Sequence, residues 1–136
     1  MKTVRAGLVT ALVLLACAAP ARAGAGHSAE EAEDNWLMLT VSHGGTPSAA
    51  KGGTMLRCDP PGGHPHAAAA CAELAAANGH IGDIPAKHAN CPADYVPVTA
   101  HAHGKWRGRA VEYNGTFSNT CVLATRTGSV FALDEA

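Results

Sequence analysis

A short segment bounded by a cysteine and a proline carries the most chemical information in the chain. Its sequence is Cys91-Pro92-Ala93-Asp94-Tyr95-Val96-Pro97. Proline restricts φ, so Pro92 and Pro97 stiffen the segment at both ends. A disulfide between Cys91 and Cys121 would also anchor it covalently. A rigid, extended and exposed segment of this kind enters a protease active site as a substrate does. It resists cleavage when its ends cannot move apart.

The N-terminal segment indicates in which compartment the protein folds. Residues 1–23 have a charged start, an apolar run too short to span a bilayer, and a small-x-small sequence at Ala21-Arg22-Ala23. We therefore predict a signal peptide over 1–23 and a secreted, extracellular protein. The alternative is a lipoprotein with Cys17 lipidated, which is less favoured because Leu15 is large for that cleavage site.

Removal of residues 1–23 leaves an even number of cysteines, which in a secreted chain predicts two disulfides. Four cysteines allow three pairings, and spacing alone does not choose among them. A zinc site is disfavoured because the chain has no Cys-x-x-Cys pair. The four cysteines are Cys58, Cys71, Cys91 and Cys121.

Charge and motifs exclude several functions. Without Lys2, Arg5 and Arg22 the chain has seven basic and 11 acidic residues, a net charge of about −4. A nucleic-acid partner is therefore not expected, because such proteins present a basic surface. No apolar run after residue 23 is long enough to cross a membrane. An enzyme is disfavoured because no nucleophile motif such as Gly-x-Ser-x-Gly is present.

Patterning predicts one α+β domain over 36–136, preceded by a flexible arm over 24–35. A helix is expected over about 65–78, ended by Gly79 in a left-handed conformation. Its apolar face is predicted to hold Ala68, Cys71, Leu74, Ala75 and Asn78. A further helical turn is expected at 81–84. Apolar and alternating segments predict strands at 36–41, 54–58, 98–103, 105–113, 116–118, 122–126 and 130–133.

Two turns should organise the second half of the chain. Gly104 is expected to turn the chain between two strands, and Asn114-Gly115 is a strong hairpin signal. Alternation directs Val98, Ala100 and Ala102 to one face of their strand. Trp106 is expected in the core or at a subunit interface.

A set of segments spread over almost the whole chain after residue 23 is distinctive when its members are taken together and in order: Leu39-Thr40-Val41, Cys58, Gly62-Gly63-His64-Pro65, Ala70-Cys71-Ala72-Glu73-Leu74, Cys91-Pro92, Tyr95, Pro97-Val98, Trp106-Arg107-Gly108-Arg109, Val111, Tyr113, Phe117-Ser118-Asn119, Cys121 and Gly128-Ser129-Val130-Phe131. These segments resemble the Streptomyces-type subtilisin inhibitor family. The resemblance implies an α+β fold with a five-stranded antiparallel sheet packed with two helices. It also implies the disulfides Cys58–Cys71 and Cys91–Cys121, a homodimer, and inhibition of extracellular serine proteases.

The resemblance also assigns residue roles. The scissile bond would be Ala93–Asp94, and Ala93 would fill the main specificity pocket of a subtilisin-like or elastase-like protease. Asn119, together with Cys121, would support the loop from behind. No cofactor or metal is implied. Three residues depart from the family pattern and weaken the expectation for standard subtilisin, namely Asn90, Asp94 and Val96.

A second hypothesis concerns the histidines. His101 and His103 should point to the same side of a strand, about 7 Å apart, a spacing that can share a metal. No third ligand is evident in the sequence. The alternative function is therefore a histidine-rich secreted metal-binding or interaction domain that keeps the scaffold and has lost inhibition.

Overall fold

The structure is a computed structural model that describes residues 33–44 and 53–134. The predicted signal peptide, the Cys17 alternative and most of the predicted arm lie outside these residues. The described elements are, in chain order, strands β1 (Trp36–His43) and β2 (Thr54–Arg57), helix α1 (Ala67–Ala76), a 3-10 turn (Ile81–Asp83), strands β3 (Val98–Trp106) and β4 (Arg109–Phe117), and helix α2 (Thr120–Thr127).

The strands form an antiparallel sheet in the order β2-β1-β3-β4. Side chains alternate across it, as the sequence predicts. Leu37 and Leu39 of β1 are buried, and so are Val98, Ala100 and Ala102 of β3, which are fully inaccessible to solvent. These residues belong to a core that also contains α1 and α2 residues, and apolar burial there is the main stabilising term.

The β3–β4 hairpin turns later than predicted. The chain reverses at Arg107 and Gly108, whose φ angles of 48° and 74° suit a two-residue hairpin turn. The prediction of a turn at Gly104 is wrong, because Gly104 lies inside β3, opposite Leu37. A Cβ at Gly104 would overlap the backbone of Trp36, so glycine is needed there for close strand approach. The predicted hairpin at Asn114-Gly115 is also wrong, since both residues lie inside β4.

Helix α1 is shorter than predicted and its buried face is rotated. Ala70, Cys71 and Leu74 are buried, whereas Ala68 and Ala75 are exposed. Cys71 is bonded to Cys58 at the end of β2, with a Cα–Cα distance of 5.7 Å, and this bond turns the Cys71 side of the helix toward the sheet. Asn78, also predicted on the apolar face, is exposed and lies beyond the end of the helix.

Gly79 has the predicted conformation, although the helix ends earlier than expected, at Ala76. Gly79 follows the helix with φ +80°, the predicted left-handed conformation. The further helical turn is confirmed as the 3-10 turn. Trp106, which is 5% exposed, packs against Gly79 as a core residue.

The segment 122–126, predicted as a strand, is helical. Asn119 caps α2 by accepting a hydrogen bond from the backbone N–H of Val122 at 2.9 Å, and Gly128 ends it with φ +58°. Leu123 and Thr127, one turn apart, form its buried side. Residues 130–133, also predicted as a strand, contain no strand. The described part of the chain therefore has a four-stranded sheet rather than the expected five, packed with two helices.

The segment after α2 is fixed to α1 by two polar contacts. Glu73 accepts a hydrogen bond from the N–H of Ser129 at 2.6 Å. His64, buried beside α1, donates from Nε2 to the carbonyl of Val130 at 2.9 Å, while its Nδ1 accepts from the N–H of His66 at 2.8 Å. Burial lowers the pKa of His64; the hydrogen bond to Val130 opposes this shift, and the neighbouring His66 adds to it.

Both disulfides have the pairing that the resemblance implies, Cys58–Cys71 and Cys91–Cys121. They cross-link segments 13 and 30 residues apart in sequence. Among residues 33–44 and 53–134, no helix is long and apolar enough to cross a membrane.

Candidate functional site

The segment between the 3-10 turn and β3 lacks regular secondary structure and runs across the protein surface. Residues 92–96 are exposed, whereas Cys91 and Pro97 are half-buried and Val98 is completely buried. The side chain of Tyr95 is the most exposed large hydrophobic group among the described residues, at 77%, followed by Val96 at 56%. The loop is therefore a short exposed stretch between two fixed ends.

Both ends of the loop are attached to the same support. On the N-terminal side, Cys91 is bonded to Cys121 in the first turn of α2, with a Cα–Cα distance of 5.6 Å. On the C-terminal side, the N–H of Val96 donates to the carbonyl of Ser118 at 2.9 Å. The loop is therefore attached at both ends to residues 118–121, by a disulfide at Cys91 and by a backbone hydrogen bond at Val96.

Asn119 holds the middle of the loop. Its side chain is buried, and Nδ2 donates to the carbonyls of Pro92 at 3.1 Å and of Asp94 at 3.0 Å. These two carbonyls lie on either side of the Ala93–Asp94 peptide bond. The same side chain caps α2 through Oδ1, so the amide is fixed in one orientation by a donor on one side and two acceptors on the other.

A second contact holds the approach to the loop. The N–H of Lys87 donates to the carbonyl of Thr125 at 2.8 Å. The ammonium group of Lys87 lies 3.0 Å from Oε1 of Glu73, the residue that also binds Ser129. Residues 118–125, which include most of α2, therefore contact the chain before the exposed segment, at Lys87 and Cys91, and within it.

The sequence reasoning named Asn119 and Cys121 but missed the parts played by Lys87, Ser118 and Thr125. Ser118 and Thr125 contribute backbone carbonyls, and any residue type has one, so no sequence signal identifies them. The salt bridge of Lys87 could have been suspected only if the position of Glu73 relative to the loop had been known.

The predicted histidine pair lies on the sheet face opposite the helices. His101 Nε2 is 2.7 Å from Oε1 of Glu112, and the His103 ring makes an edge contact with Trp36 at 6.2 Å between centroids. Within the described residues, no group of three or more His, Cys, Asp or Glu side chains is arranged to hold a metal ion. The histidines therefore already have protein partners.

The residues 33–119 match the sequence model of the subtilisin inhibitor-like family. The chain belongs to the subtilisin inhibitor-like family. The matched region contains the exposed loop and Asn119 and ends just before Cys121. The predicted family is therefore confirmed.

Individual relatives agree with this assignment. A protein of Streptomyces avermitilis, provisionally described as a serine protease inhibitor, is 51% identical over 129 residues, which cover 95% of this chain and 86% of that protein. A subtilase-type protease inhibitor of Streptomyces coelicolor is 42% identical over 100 residues, covering 70% of this chain and 69% of that protein.

A solved structure gives the same result for the fold. The chain resembles Streptomyces caespitosus sermetstatin, which was crystallised in complex with Bacillus licheniformis subtilisin. The two share 36% sequence identity and a TM-score of 0.57 over 72% of this chain and 97% of sermetstatin. These comparisons confirm the predicted general function, a protease inhibitor rather than an enzyme, and they do not support the histidine-rich alternative.

Proposed function

We propose that this subtilisin inhibitor-like protein acts through the exposed loop, which a serine protease binds as a substrate at the Ala93–Asp94 bond. The observation that carries the proposal is the contact of one buried amide, that of Asn119, with carbonyls on both sides of this bond. An ordinary surface loop would not need such a contact. Here it fixes the backbone where a protease would attack.

The support limits what happens after attack. A protease serine that attacks the carbonyl carbon of Ala93 would form an acyl-enzyme and release the amino group of Asp94. The released end stays tied through the carbonyl of Asp94 to Asn119 and through the N–H of Val96 to Ser118. The acyl end stays tied through Cys91 to Cys121. The amine therefore remains next to the ester, and religation at high effective concentration competes with hydrolysis.

The rigid loop also favours binding before any chemistry. A flexible peptide loses conformational freedom when it enters an active site, and that loss weakens its affinity. Pro92 limits φ next to Ala93, and the disulfide and hydrogen bonds hold the rest. The loop therefore loses little entropy on binding, and more of its contact energy appears as affinity.

The target class follows from Ala93. A methyl group fits the pocket of a subtilisin-like or elastase-like protease, whereas a trypsin-type pocket requires Lys or Arg. Asp94 places a charge directly after the scissile bond, and its carboxylate makes no salt bridge with the other described residues. A target that accepts this charge would be inhibited better than standard subtilisin.

Two further expectations belong to the same proposal. We propose that the protein is secreted, since both disulfides require an oxidising compartment. We also propose a homodimer in which a second copy covers the outer face of the sheet, where Trp36 and Met38 are half-buried and Met55 is exposed. Analytical ultracentrifugation at micromolar concentration should give twice the chain mass, and a monomer mass would remove the dimer from the proposal.

Inhibition assays test the reactive bond. The purified, oxidised protein is titrated against subtilisin and against an elastase-type protease, and each mixture is followed by mass spectrometry. Nanomolar inhibition with slow cleavage only between Ala93 and Asp94 is expected. Rapid digestion without inhibition, or a first cleavage elsewhere, would remove this loop as the inhibitory site.

A matched variant separates the disulfide from the general fold. Replacing Cys91 and Cys121 together by serine removes the anchor of the loop and leaves Cys58–Cys71 in place. The double variant should still inhibit initially but should be cleaved at Ala93–Asp94 much faster than the parent protein. Equal cleavage rates for the two proteins would show that the disulfide does not retain the cut ends.

A further inference from the structure

We propose that Tyr95 and Val96, rather than Ala93, provide the main apolar contact with the target protease. The target should then present an apolar surface where it binds the residues after the scissile bond. This inference depends on the proposed function, because it concerns the same loop. It assigns most of the apolar binding energy to the primed side, the residues that follow the cut, whereas Ala93 determines which specificity pocket the loop can enter.

Exposure is the first observation behind this assignment. Among the described residues only three large hydrophobic side chains are exposed, and two of them are Tyr95 and Val96, at 77% and 56%. These two residues are consecutive in the sequence, whereas exposed apolar residues that occur singly are common on any surface. Met55, the third, lies on β2 at the far edge of the sheet.

Rigidity is the second observation. The backbone on both sides of Tyr95 is fixed, by the carbonyl of Asp94 bound to Asn119 and by the N–H of Val96 bound to Ser118 at 2.9 Å. Pro97 and the buried Val98 follow immediately. The side chain of Tyr95 forms no hydrogen bond with any described residue, so its exposure serves no visible role within the protein itself.

The sizes of the side chains decide between the two sides of the bond. Ala93 offers one methyl group, whereas Tyr95 offers an aromatic ring, and aromatic residues dominate the energetics of interfaces. Tyrosine has only two side-chain torsions, so it loses little freedom when it is fixed. The apolar surface that a protease could bury on this loop is therefore concentrated after the scissile bond.

Inhibition of subtilisin by three variants tests the proposal. Tyr95→Ala should raise the inhibition constant at least about 30-fold, the level that marks a dominant interface residue. Val96→Ala should raise it about five- to tenfold through the loss of two methyl groups. Tyr95→Phe keeps the ring and should stay within about twofold of the parent protein, so it is the matched control. Thermal unfolding checks that each variant folds, which is expected because the replaced side chains are exposed.

The outcomes separate this inference from the proposed function. If the parent protein inhibits and is cut at Ala93–Asp94 while Tyr95→Ala stays within about threefold of it, the primed-side anchor is wrong and the inhibitory loop stands. If Tyr95→Phe loses as much affinity as Tyr95→Ala, the hydroxyl group rather than the apolar ring is responsible, and the proposal is overturned. If the parent protein does not inhibit at all, the proposed function itself fails.

Discussion

Asn119 has two separable tasks, and a set of substitutions can measure each of them. Its Oδ1 caps α2 and its Nδ2 donates to the carbonyls of Pro92 and Asp94. Asn119→Ala removes both functions. Asn119→Ser keeps a good helix cap, because serine and asparagine cap equally well. Its shorter side chain cannot reach the two loop carbonyls, so serine removes only the support of the loop.

The expected sizes follow from the contacts. A net hydrogen bond contributes about 0.5–1.5 kcal/mol, so two contribute about 1–3 kcal/mol. Both carbonyls belong to exposed residues where water can replace the amide, so the lower half of this range, about 1–2 kcal/mol, applies. Both variants should therefore be cleaved at Ala93–Asp94 about five to 30 times faster than the parent protein. The lost cap costs Asn119→Ala about 1 kcal/mol more than Asn119→Ser, which lowers its melting temperature by about a further 4–8 °C.

The assay combines two readouts on the same samples. Mass spectrometry follows cleavage of each variant by subtilisin over time, and calorimetry gives the melting temperature. The reasoning requires equal cleavage rates for Asn119→Ala and Asn119→Ser despite their different stabilities. It is refuted if Asn119→Ser is cut as slowly as the parent protein, or if the cleavage rates follow the melting temperatures.

Three further predictions concern the choice of target protease, the pH dependence of stability and the turn after α1. Ala93→Lys should shift inhibition toward trypsin-like proteases; an unchanged protease profile would show that Ala93 does not enter the specificity pocket. Because the pKa of His64 is lower in the folded protein than in the unfolded chain, the folded protein binds this proton less tightly. The stability that neutral His64 contributes is therefore present above about pH 6.5 and is lost as the pH falls below that value. Urea unfolding at pH 8 and pH 5 should show this loss, and a His64→Gln variant with the same pH dependence would contradict it. Gly79→Ala should destabilise the protein by about 2–4 kcal/mol, because φ is +80° and a Cβ would overlap the Trp106 ring. Gly82→Ala, where a Cβ meets nothing within 4 Å, is the control and should be nearly neutral in thermal unfolding.

The sequence predicts the parts of the fold that depend on local pattern. Alternation in β3 was sufficient to assign its buried face, because a half-covered strand must place every second residue in the core. The left-handed conformation of Gly79 after α1 was predicted because glycine can adopt positive φ without a steric penalty. Local residue types decide both features.

The errors arise where distant contacts decide. Val122 and several threonines in α2 favour a strand locally, but the cap at Asn119 and the packing of Leu123 and Thr127 on the core select a helix. The Asn-Gly pair in β4 has strong turn chemistry, yet the ladder with β3 continues through it. Pairing along the whole of β3 outweighs the preference of those two residues.

The candidate loop was found from cysteine and proline positions, and its support was found only in part. Asn119 was named because the family resemblance pointed to it. The carbonyl contacts at Ser118 and Thr125 depend on how α2 lies beneath the loop. That arrangement follows from tertiary packing and is not encoded in any short motif.

The shared amide of Asn119 has a kinetic consequence. Because one side chain both closes the first turn of α2 and holds the loop, an opening of that turn would break the hydrogen bonds on both sides of Ala93–Asp94 at the same time and leave the disulfide and the Val96–Ser118 contact in place. Such local openings need far less free energy than global unfolding. The lifetime of the intact inhibitor beside a protease would then depend on how often a single helical turn frays as well as on the disulfide Cys91–Cys121. Amide hydrogen exchange at Val122, whose N–H is bound to Asn119, would report that frequency directly.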